Sequence, residues 1–156
     1  MTERADVLLV SNAGGHLAQL LALRAAWQSL TRVWIVPQAS DAGSLPAGER
    51  VVHAFHPTTR NIPNLLRNLR LAWATIGRER PRVLVTTGAG VAVPFVWIAR
   101  LRGIDVVWIE SFTRVHRPSL SCRLAARACS RVYVQWPELV AAVPRARYVG
   151  SLFSDP

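Results

Sequence analysis

The chain has 156 residues, which is enough for one compact domain with a full core and too few for two domains of ordinary size. Its composition is 51% hydrophobic and only 18% charged, which excludes intrinsic disorder. The formal net charge of +10, with arginine and no lysine as its source, favours anionic partners such as nucleotides, lipid phosphates, anionic bilayers or nucleic acid. We therefore expect a single domain over residues 1–156.

Apolar, β-branched runs predict seven strands: Asp6–Ser11, Arg32–Pro37, Arg50–Phe55, Arg82–Thr87, Asp105–Ser111, Arg131–Gln135 and Arg147–Gly150. Apolar residues at helical spacing predict four helices: His16–Leu30, Ile62–Arg78, Val91–Leu101 and Ser119–Cys129. Residues 38 to 49 are expected to form a loop. Apolar strands that alternate with helices are typical of a parallel sheet covered on both faces. The predicted fold class is therefore α/β, a doubly wound, Rossmann-like parallel sheet.

Three loops at the carboxyl ends of these strands hold most of the unusual residues, and in such sheets ligands bind at that edge. The first loop, "SNAGGH", contains Asn12, Gly14, Gly15 and His16 at the start of a helix, where free N–H groups form an anion site. Its glycine pair is a loose motif, so His16 is either a group of the site or a residue that caps or packs the helix.

The second loop, "TTGAG", repeats the arrangement of strand, small residues and helix start with Thr87, Gly88, Ala89 and Gly90. The two turns follow the first and fourth strands, which flank the point where strand order usually reverses. One ligand with two phosphates would fit between them. The alternative interpretation is two ordinary strand-to-helix turns.

The third loop, "ESFTRVHR", begins at Glu110, which ends an apolar strand. Glu110 is expected either to order the loop or to act in the site, as an orienter of His16 or as an acceptor for a sugar hydroxyl, with Arg114 on phosphate. The role of His116 stays open, and His53 and His56 are interpreted as structural or solvated. The sequence has no metal-ligand spacing and implies no cofactor.

The helix around "NIPNLLRNLRLAWATIGRER" combines apolar residues with arginines, which is typical of an interfacial segment on an anionic membrane. The alternative is a core-facing helix with a solvated basic face. No apolar run reaches the ~20 residues that span a bilayer. With no signal-like start, we expect a cytoplasmic protein with reduced Cys122 and Cys129, associated peripherally with the membrane.

Five segments, "SNAGGHLAQLLAL", "TTGAGVAVPF", "ESFTRV", "VQWPEL" and "YVGSLF", resemble in wording and order the PssD-type polysaccharide-biosynthesis glycosyltransferase subunits of bacteria. They are also similar to the membrane-recruiting subunit of the split dolichol-pathway N-acetylglucosaminyltransferase and, more distantly, to the N-terminal half of MurG. The resemblance covers essentially the whole chain. It implies one half of a GT-B glycosyltransferase, in which this domain holds the lipid-linked acceptor and a separate chain binds the UDP-sugar.

By position, the resemblance implies that the turn at Gly14, Gly15 and His16 faces the acceptor diphosphate, with His16 as a candidate base. It implies that the loop from Thr87 to Gly90 is the second glycine-rich loop. It implies that Glu110, Ser111 and Phe112 border the sugar site. The dolichol-pathway subunit usually has an N-terminal hydrophobic anchor, whereas this sequence begins "MTERADVLLV", so peripheral attachment is the expectation here.

The expected activity is transfer of a sugar from a UDP-sugar to a polyprenyl-diphosphate-linked saccharide, in capsule or exopolysaccharide or in lipid-linked oligosaccharide synthesis. The chain is expected to act as an enzyme subunit with its partner, in a heterodimer. The rival hypothesis is a non-catalytic scaffold that recruits a catalytic donor-binding subunit to the membrane. Nucleic-acid binding is disfavoured because the arginines are dispersed and no nucleic-acid motif is present.

Overall fold

The computed structural model describes residues 4–38 and 45–153 of the chain. In that part, seven strands are present: β1 (Val7–Val10), β2 (Arg32–Pro37), β3 (Val51–Ala54), β4 (Val83–Thr86), β5 (Asp105–Ile109), β6 (Arg131–Val134) and β7 (Ala146–Tyr148). The helices are α1 (Gly15–Ala22), α2 (Arg24–Trp27), α3 (Ile62–Glu79), α4 (Ala92–Leu101) and α5 (Leu120–Ala125). Short 3-10 helices follow at Ala126–Ala128 and Pro137–Ala142.

The described strands form one parallel sheet in the order β3-β2-β1-β4-β5-β6-β7. Val7 of β1 is in register with Arg32 on one side and with Val83 on the other. The strand order therefore reverses between β1 and β4, which confirms the predicted doubly wound, Rossmann-like α/β fold. It also places the turns after β1 and β4 side by side at the carboxyl edge.

The core has one layer on each face of the sheet, as the alternation of side chains along β1 requires. Leu8 and Val10 pack with α3, α4 and α5, while Val7 and Leu9 pack with α1 and α2. All four side chains are fully buried. Near-continuous apolar strands are therefore explained by helices on both faces.

The strands begin and end within two residues of their predicted bounds, and the larger differences from the sequence-based expectation lie in the helices and loops. The helix predicted over His16–Leu30 is two helices, because the indole of Trp27 and the backbone N–H of Leu23 both donate to the carbonyl of Leu20. The last predicted helix changes to 3-10 geometry after Ala125, and the 3-10 helix after β6 had no counterpart in the prediction. Of the loop expected over residues 38 to 49, residues 39–44 lie outside the described part.

Helix α3 begins and ends as its sequence indicates. The Asn61 side chain caps the first turn by accepting from the N–H of Asn64 at 2.9 Å, and Arg80 ends the helix in the left-handed conformation directly before Pro81.

The orientation of α3 corrects the interpretation of a core-facing apolar side. Ile62, Leu65, Leu66 and Trp73 are exposed, and most of the buried positions are polar: Asn64, Asn68, Thr75 and Glu79.

Candidate functional site

The first turn of the site connects β1 to α1. Gly14 has φ 71° and ψ −134°, a conformation that only glycine adopts readily, and it precedes the first residue of the helix. A Cβ placed on Gly14 or on Gly15 would meet no atom within 4 Å. The turn is therefore open on its outer side, so that a ligand can approach the start of α1 closely. Asn12 is half-buried in the same turn, and its carbonyl accepts from the Ser11 hydroxyl at 2.8 Å.

His16 is half-buried, and the imidazole Nδ1 lies 2.8 Å from the carbonyl oxygen of Thr87. A carbonyl only accepts hydrogen bonds, so Nδ1 carries the proton and Nε2 is the basic nitrogen of the neutral ring. The Thr87 hydroxyl in turn donates to the His16 carbonyl at 2.7 Å. Two reciprocal hydrogen bonds therefore join the two turns and set both the position and the tautomer of His16.

The second turn, between β4 and α4, depends on close backbone approach. Gly88 (φ +101°) packs so tightly that a Cβ there would lie 3.2 Å from Cζ2 of Trp108 and 3.7 Å from Cε1 of His16. A Cβ on Gly90 would lie 2.9 Å from the hydroxyl oxygen of Thr58. Ala89 also has a positive φ, 73°. These contacts explain the small residues of "TTGAG" and seat the turn directly against the His16 ring.

Glu110 orders the third loop. Its side chain is fully buried; Oε1 accepts from the N–H of Ser111 at 2.8 Å, and Oε2 accepts from the N–H and the hydroxyl of Ser119 at 3.1 and 2.9 Å. The Ser119 hydroxyl also caps α5 by accepting from the N–H of Cys122. Both carboxylate oxygens are thus used within the loop, while Nδ1 of His16 bonds to Thr87. This geometry corrects the expectation that Glu110 orients His16 or accepts a sugar hydroxyl.

The remaining residues of the third loop differ in their surroundings. Phe112 packs against Trp136 and Phe153, with ring centroids 5.2 and 5.6 Å apart, and its carbonyl accepts from the Trp136 indole at 2.6 Å. Ser111 is buried, and its hydroxyl lies 3.0 Å from that of Thr113. Arg114 is exposed. The loop therefore offers two exposed arginines, Arg114 and Arg117, and an aromatic cluster around Phe112.

Two buried glutamines connect these loops, and sequence reasoning did not select them. Gln19, in α1, contacts Gly15, Ser111, Phe112 and Gln135 through its amide. The available signals were Gln19 within an otherwise apolar helix and Gln135 at the end of an apolar strand. An isolated polar residue at such a position predicts burial only when its partners are known, and here the partners lie up to 116 residues away.

The two cysteines are free and buried. Burial, followed by the neighbouring Glu110 carboxylate, raises the pKa of the Cys122 thiol, and burial raises the pKa of Cys129 to about 12.

Over residues 4–38 and 45–153, no three His, Cys, Asp or Glu side chains come together as a metal site would require. In those same ranges no helix combines the length and the hydrophobicity needed to cross a membrane.

Comparison with known proteins gives a consistent result. A family model described as "Oligosaccharide biosynthesis protein Alg14 like" matches residues 49–152, which include the second and third loops. The UDP-N-acetylglucosamine transferase subunit ALG14 of Eremothecium gossypii is 38% identical over 177 residues, covering 94% of this chain and 79% of that protein.

Longer bacterial proteins also match. The UDP-N-acetylglucosamine--N-acetylmuramyl-(pentapeptide) pyrophosphoryl-undecaprenol N-acetylglucosamine transferase of Prochlorococcus marinus is 28% identical over 148 residues, covering 88% of this chain and 41% of that protein. The crystal structure of Acinetobacter baumannii MurG superposes with a TM-score of 0.75 at 18% identity, covering 99% of this chain and 47% of that one. This chain thus spans less than half the length of that solved protein.

Proposed function

The chain belongs to the family of Alg14-like oligosaccharide biosynthesis proteins, and on that premise we propose that it is the acceptor-binding subunit of a two-chain glycosyltransferase. The donor is a UDP-sugar, of the UDP-N-acetylglucosamine class named for its relatives. The acceptor is a polyprenyl-diphosphate-linked saccharide of capsule, exopolysaccharide or lipid-linked oligosaccharide synthesis. In this proposal the described residues form the acceptor-binding domain, and a partner subunit binds the donor.

One observation carries this proposal: His16 and Thr87 exchange two hydrogen bonds at the β1–β4 switch point, beside a turn that is open to a ligand. The acceptor diphosphate lies against the start of α1, where the helix dipole and the turn's small residues favour an anion. Arg114, exposed on the neighbouring loop, contributes a positive charge.

In the transfer step, the acceptor hydroxyl oxygen forms a bond to the anomeric carbon of the donor while the bond from that carbon to UDP breaks. Nε2 of His16 takes the hydroxyl proton, since Nδ1 is already protonated and held by Thr87. The leaving UDP carries away the bonding electron pair. Glu110 has no part in the proton transfer and instead holds the loop that carries Phe112 and Arg114.

Peripheral membrane attachment is supported by the outer face of α3. Ile62, Leu66 and Trp73 on this helix are 69%, 56% and 54% exposed. The guanidinium carbon of Arg102 lies 4.0 Å from the Trp73 ring centroid. An apolar face with arginines beside it suits the interface of an anionic bilayer, where the apolar side chains insert and the cations meet lipid phosphates.

Assembly with a second chain is supported by the face of the sheet opposite α3. In the described part of the chain, Val83, Val85, Val107 and Tyr133 remain only half-buried there, although both faces of a parallel sheet are normally covered. They floor a groove of about 470 Å³ whose walls are α2 and the segment Val149–Leu152. Arginines line the continuation of this face beside Asp105: Arg131, Arg145 and Arg147. The partner's docking segment is therefore apolar with an acidic end.

The test is transfer of labelled sugar from UDP-N-acetylglucosamine to a polyprenyl-diphosphate acceptor by the chain co-purified with its partner. We expect His16→Ala to lower kcat by about two to four orders of magnitude, the range of a general base, while the pair still co-purifies. The matched control is His53→Ala, which removes an exposed histidine on β3. Unchanged turnover in His16→Ala with the pair intact would overturn the base and favour the scaffold hypothesis.

Docking is tested separately by charge reversal. Arg131→Glu and Arg147→Glu place negative charges at the end of the groove, so we expect weaker capture of the partner. Arg127→Glu is the control, since Arg127 is exposed on the 3-10 helix that follows α5. Equal capture by all three variants would show that the partner does not use this face.

A further inference from the structure

Gln19 and Gln135 form a buried pair of amides beneath the site, 4% and 3% exposed. Nε2 of Gln135 donates to Oε1 of Gln19 at 2.7 Å. Gln19 donates to the carbonyl of Gly15 at 3.1 Å and to the hydroxyl of Ser111 at 3.3 Å, and it accepts from the N–H of Phe112 at 2.9 Å. Every donor and acceptor position of the Gln19 amide is thus used.

Gln135 is equally saturated. Beyond its bond to Gln19, it donates to the carbonyl of Glu110 at 3.0 Å. Its Oε1 accepts from the N–H of Leu152 at 3.0 Å and from the hydroxyl of Ser151 at 3.4 Å. Backbone groups determine the orientation of both amides, because a backbone N–H only donates and a carbonyl only accepts. Neither amide can rotate without leaving buried polar groups unpaired.

The pair connects parts of the chain that are remote in sequence. One end contacts Gly15, the residue before His16, and the loop that carries Phe112. The other end holds Leu152, in the segment that walls the sheet groove. A displacement of Leu152 changes the position of the Gln135 amide, and through it that of Gln19, since the two share one hydrogen bond and have no spare partner.

We propose that Gln19 and Gln135 are a positioning pair, through which the seating of residues 150–153 sets the geometry of the His16 turn and of the loop at Phe112. This proposal rests on the proposed function, because it makes docking of the partner along the groove wall and alignment of the acceptor site one coupled event. The two glutamines act through the loops and contact no reacting atom.

The test uses the full chain co-purified with its partner and the variants Gln19→Met and Gln135→Met, which keep side-chain length and remove the amide. We expect each to lower kcat by about ten- to a hundredfold, as misplacement of a catalytic group does, with the donor KM unchanged. Gln28→Met is the matched control, because Gln28 is exposed at the end of α2. Should Gln135→Met not fold, Gln19→Met tests the same coupling, because it removes the other partner of the hydrogen bond that the two amides share.

Hydrogen exchange supplies a readout that needs no turnover. We expect Gln135→Met to accelerate exchange of the Phe112 amide, which bonds to Gln19. We expect Gln19→Met to accelerate exchange of the Leu152 amide, which bonds to Gln135. In each variant the replaced glutamine has no direct bond to the amide that is measured. Acceleration confined to the directly bonded amide, or kcat values equal to that of the Gln28→Met control, would overturn the coupling. An inactive wild-type complex would instead contradict the proposed function, and the exchange experiment would still test the pair.

Discussion

Replacement of Gly88 by alanine probes the junction between the two turns. The added Cβ would lie 3.2 Å from Cζ2 of Trp108, a ring that is fully buried and has no room to yield. The turn must therefore lift, and it carries with it the carbonyl of Thr87 that holds Nδ1 of His16. We expect a loss of stability and a larger loss of activity.

The expected loss of folding stability has two parts, backbone strain and the contact with Trp108, and Gly48→Ala as the control separates them. Gly48 also has a positive φ, +84°, but a Cβ there meets nothing within 4 Å. Backbone strain alone costs about 1–2 kcal/mol and applies to both variants. The contact with Trp108 adds about 1–3 kcal/mol, as overpacking does, in Gly88→Ala only.

Both variants are measured by urea unfolding of the chain and by sugar transfer in the complex with its partner. We expect Gly88→Ala to unfold at lower urea than Gly48→Ala and to lose about a hundredfold in kcat, because the base is misplaced. Gly48→Ala should retain wild-type kcat. If the two variants agree in both measurements, the turn does not position His16 and the reasoning from the Gly88 contacts is refuted.

Other expectations follow from burial and charge. Because burial raises the pKa of Cys129 to about 12 and also raises that of Cys122, neither thiol should react with iodoacetamide at pH 8 in the folded chain, and both should react in urea; labelling of the native protein would contradict this burial. Leu66→Asp should leave the unfolding midpoint unchanged, because Leu66 is exposed on α3, but it should weaken sedimentation with phosphatidylglycerol vesicles relative to wild type. The pKa of Asp6 is lowered, chiefly by the Thr31 hydroxyl, so it adds stability above its unfolded pKa that is lost as pH falls through the folded pKa. Between pH 5 and pH 2, Asp6→Asn should therefore lose less in Tm than wild type, and equal slopes would argue against the Thr31 contact.

Local pattern was sufficient for most of the fold. Apolar runs located β1 to β6 because each of these strands has buried residues, and β7 was located although none of its residues is buried. The alternation of strands with helices gave the parallel, doubly wound order. The adjacency of the turns at His16 and Thr87 followed from that order. What the pattern did not contain was the reciprocal hydrogen bonding between them, since those partners are 71 residues apart.

Glu110 shows why a carboxylate at a strand end is ambiguous in sequence. A charged residue after an apolar strand indicates either a site group or a group that satisfies nearby backbone donors. The structure has the second arrangement, with two N–H groups and one hydroxyl on the carboxylate. Ser119, which caps α5, lies nine residues away in the sequence. Its N–H and hydroxyl come within hydrogen-bond distance of Glu110 only in the folded loop.

Helix α3 reverses the usual relation between polarity and burial for a physical reason. Asn68 faces the sheet and bonds to both the N–H and the carbonyl of Phe55 at 2.9 Å, so it supplies the partner groups that another strand would give just beyond β3. Glu79, also buried, accepts from Arg50 and Arg78. With these polar side chains required on the inside, the apolar stripe of α3 is directed outward. This exposed apolar stripe is the observation on which the proposed peripheral attachment to an anionic bilayer rests.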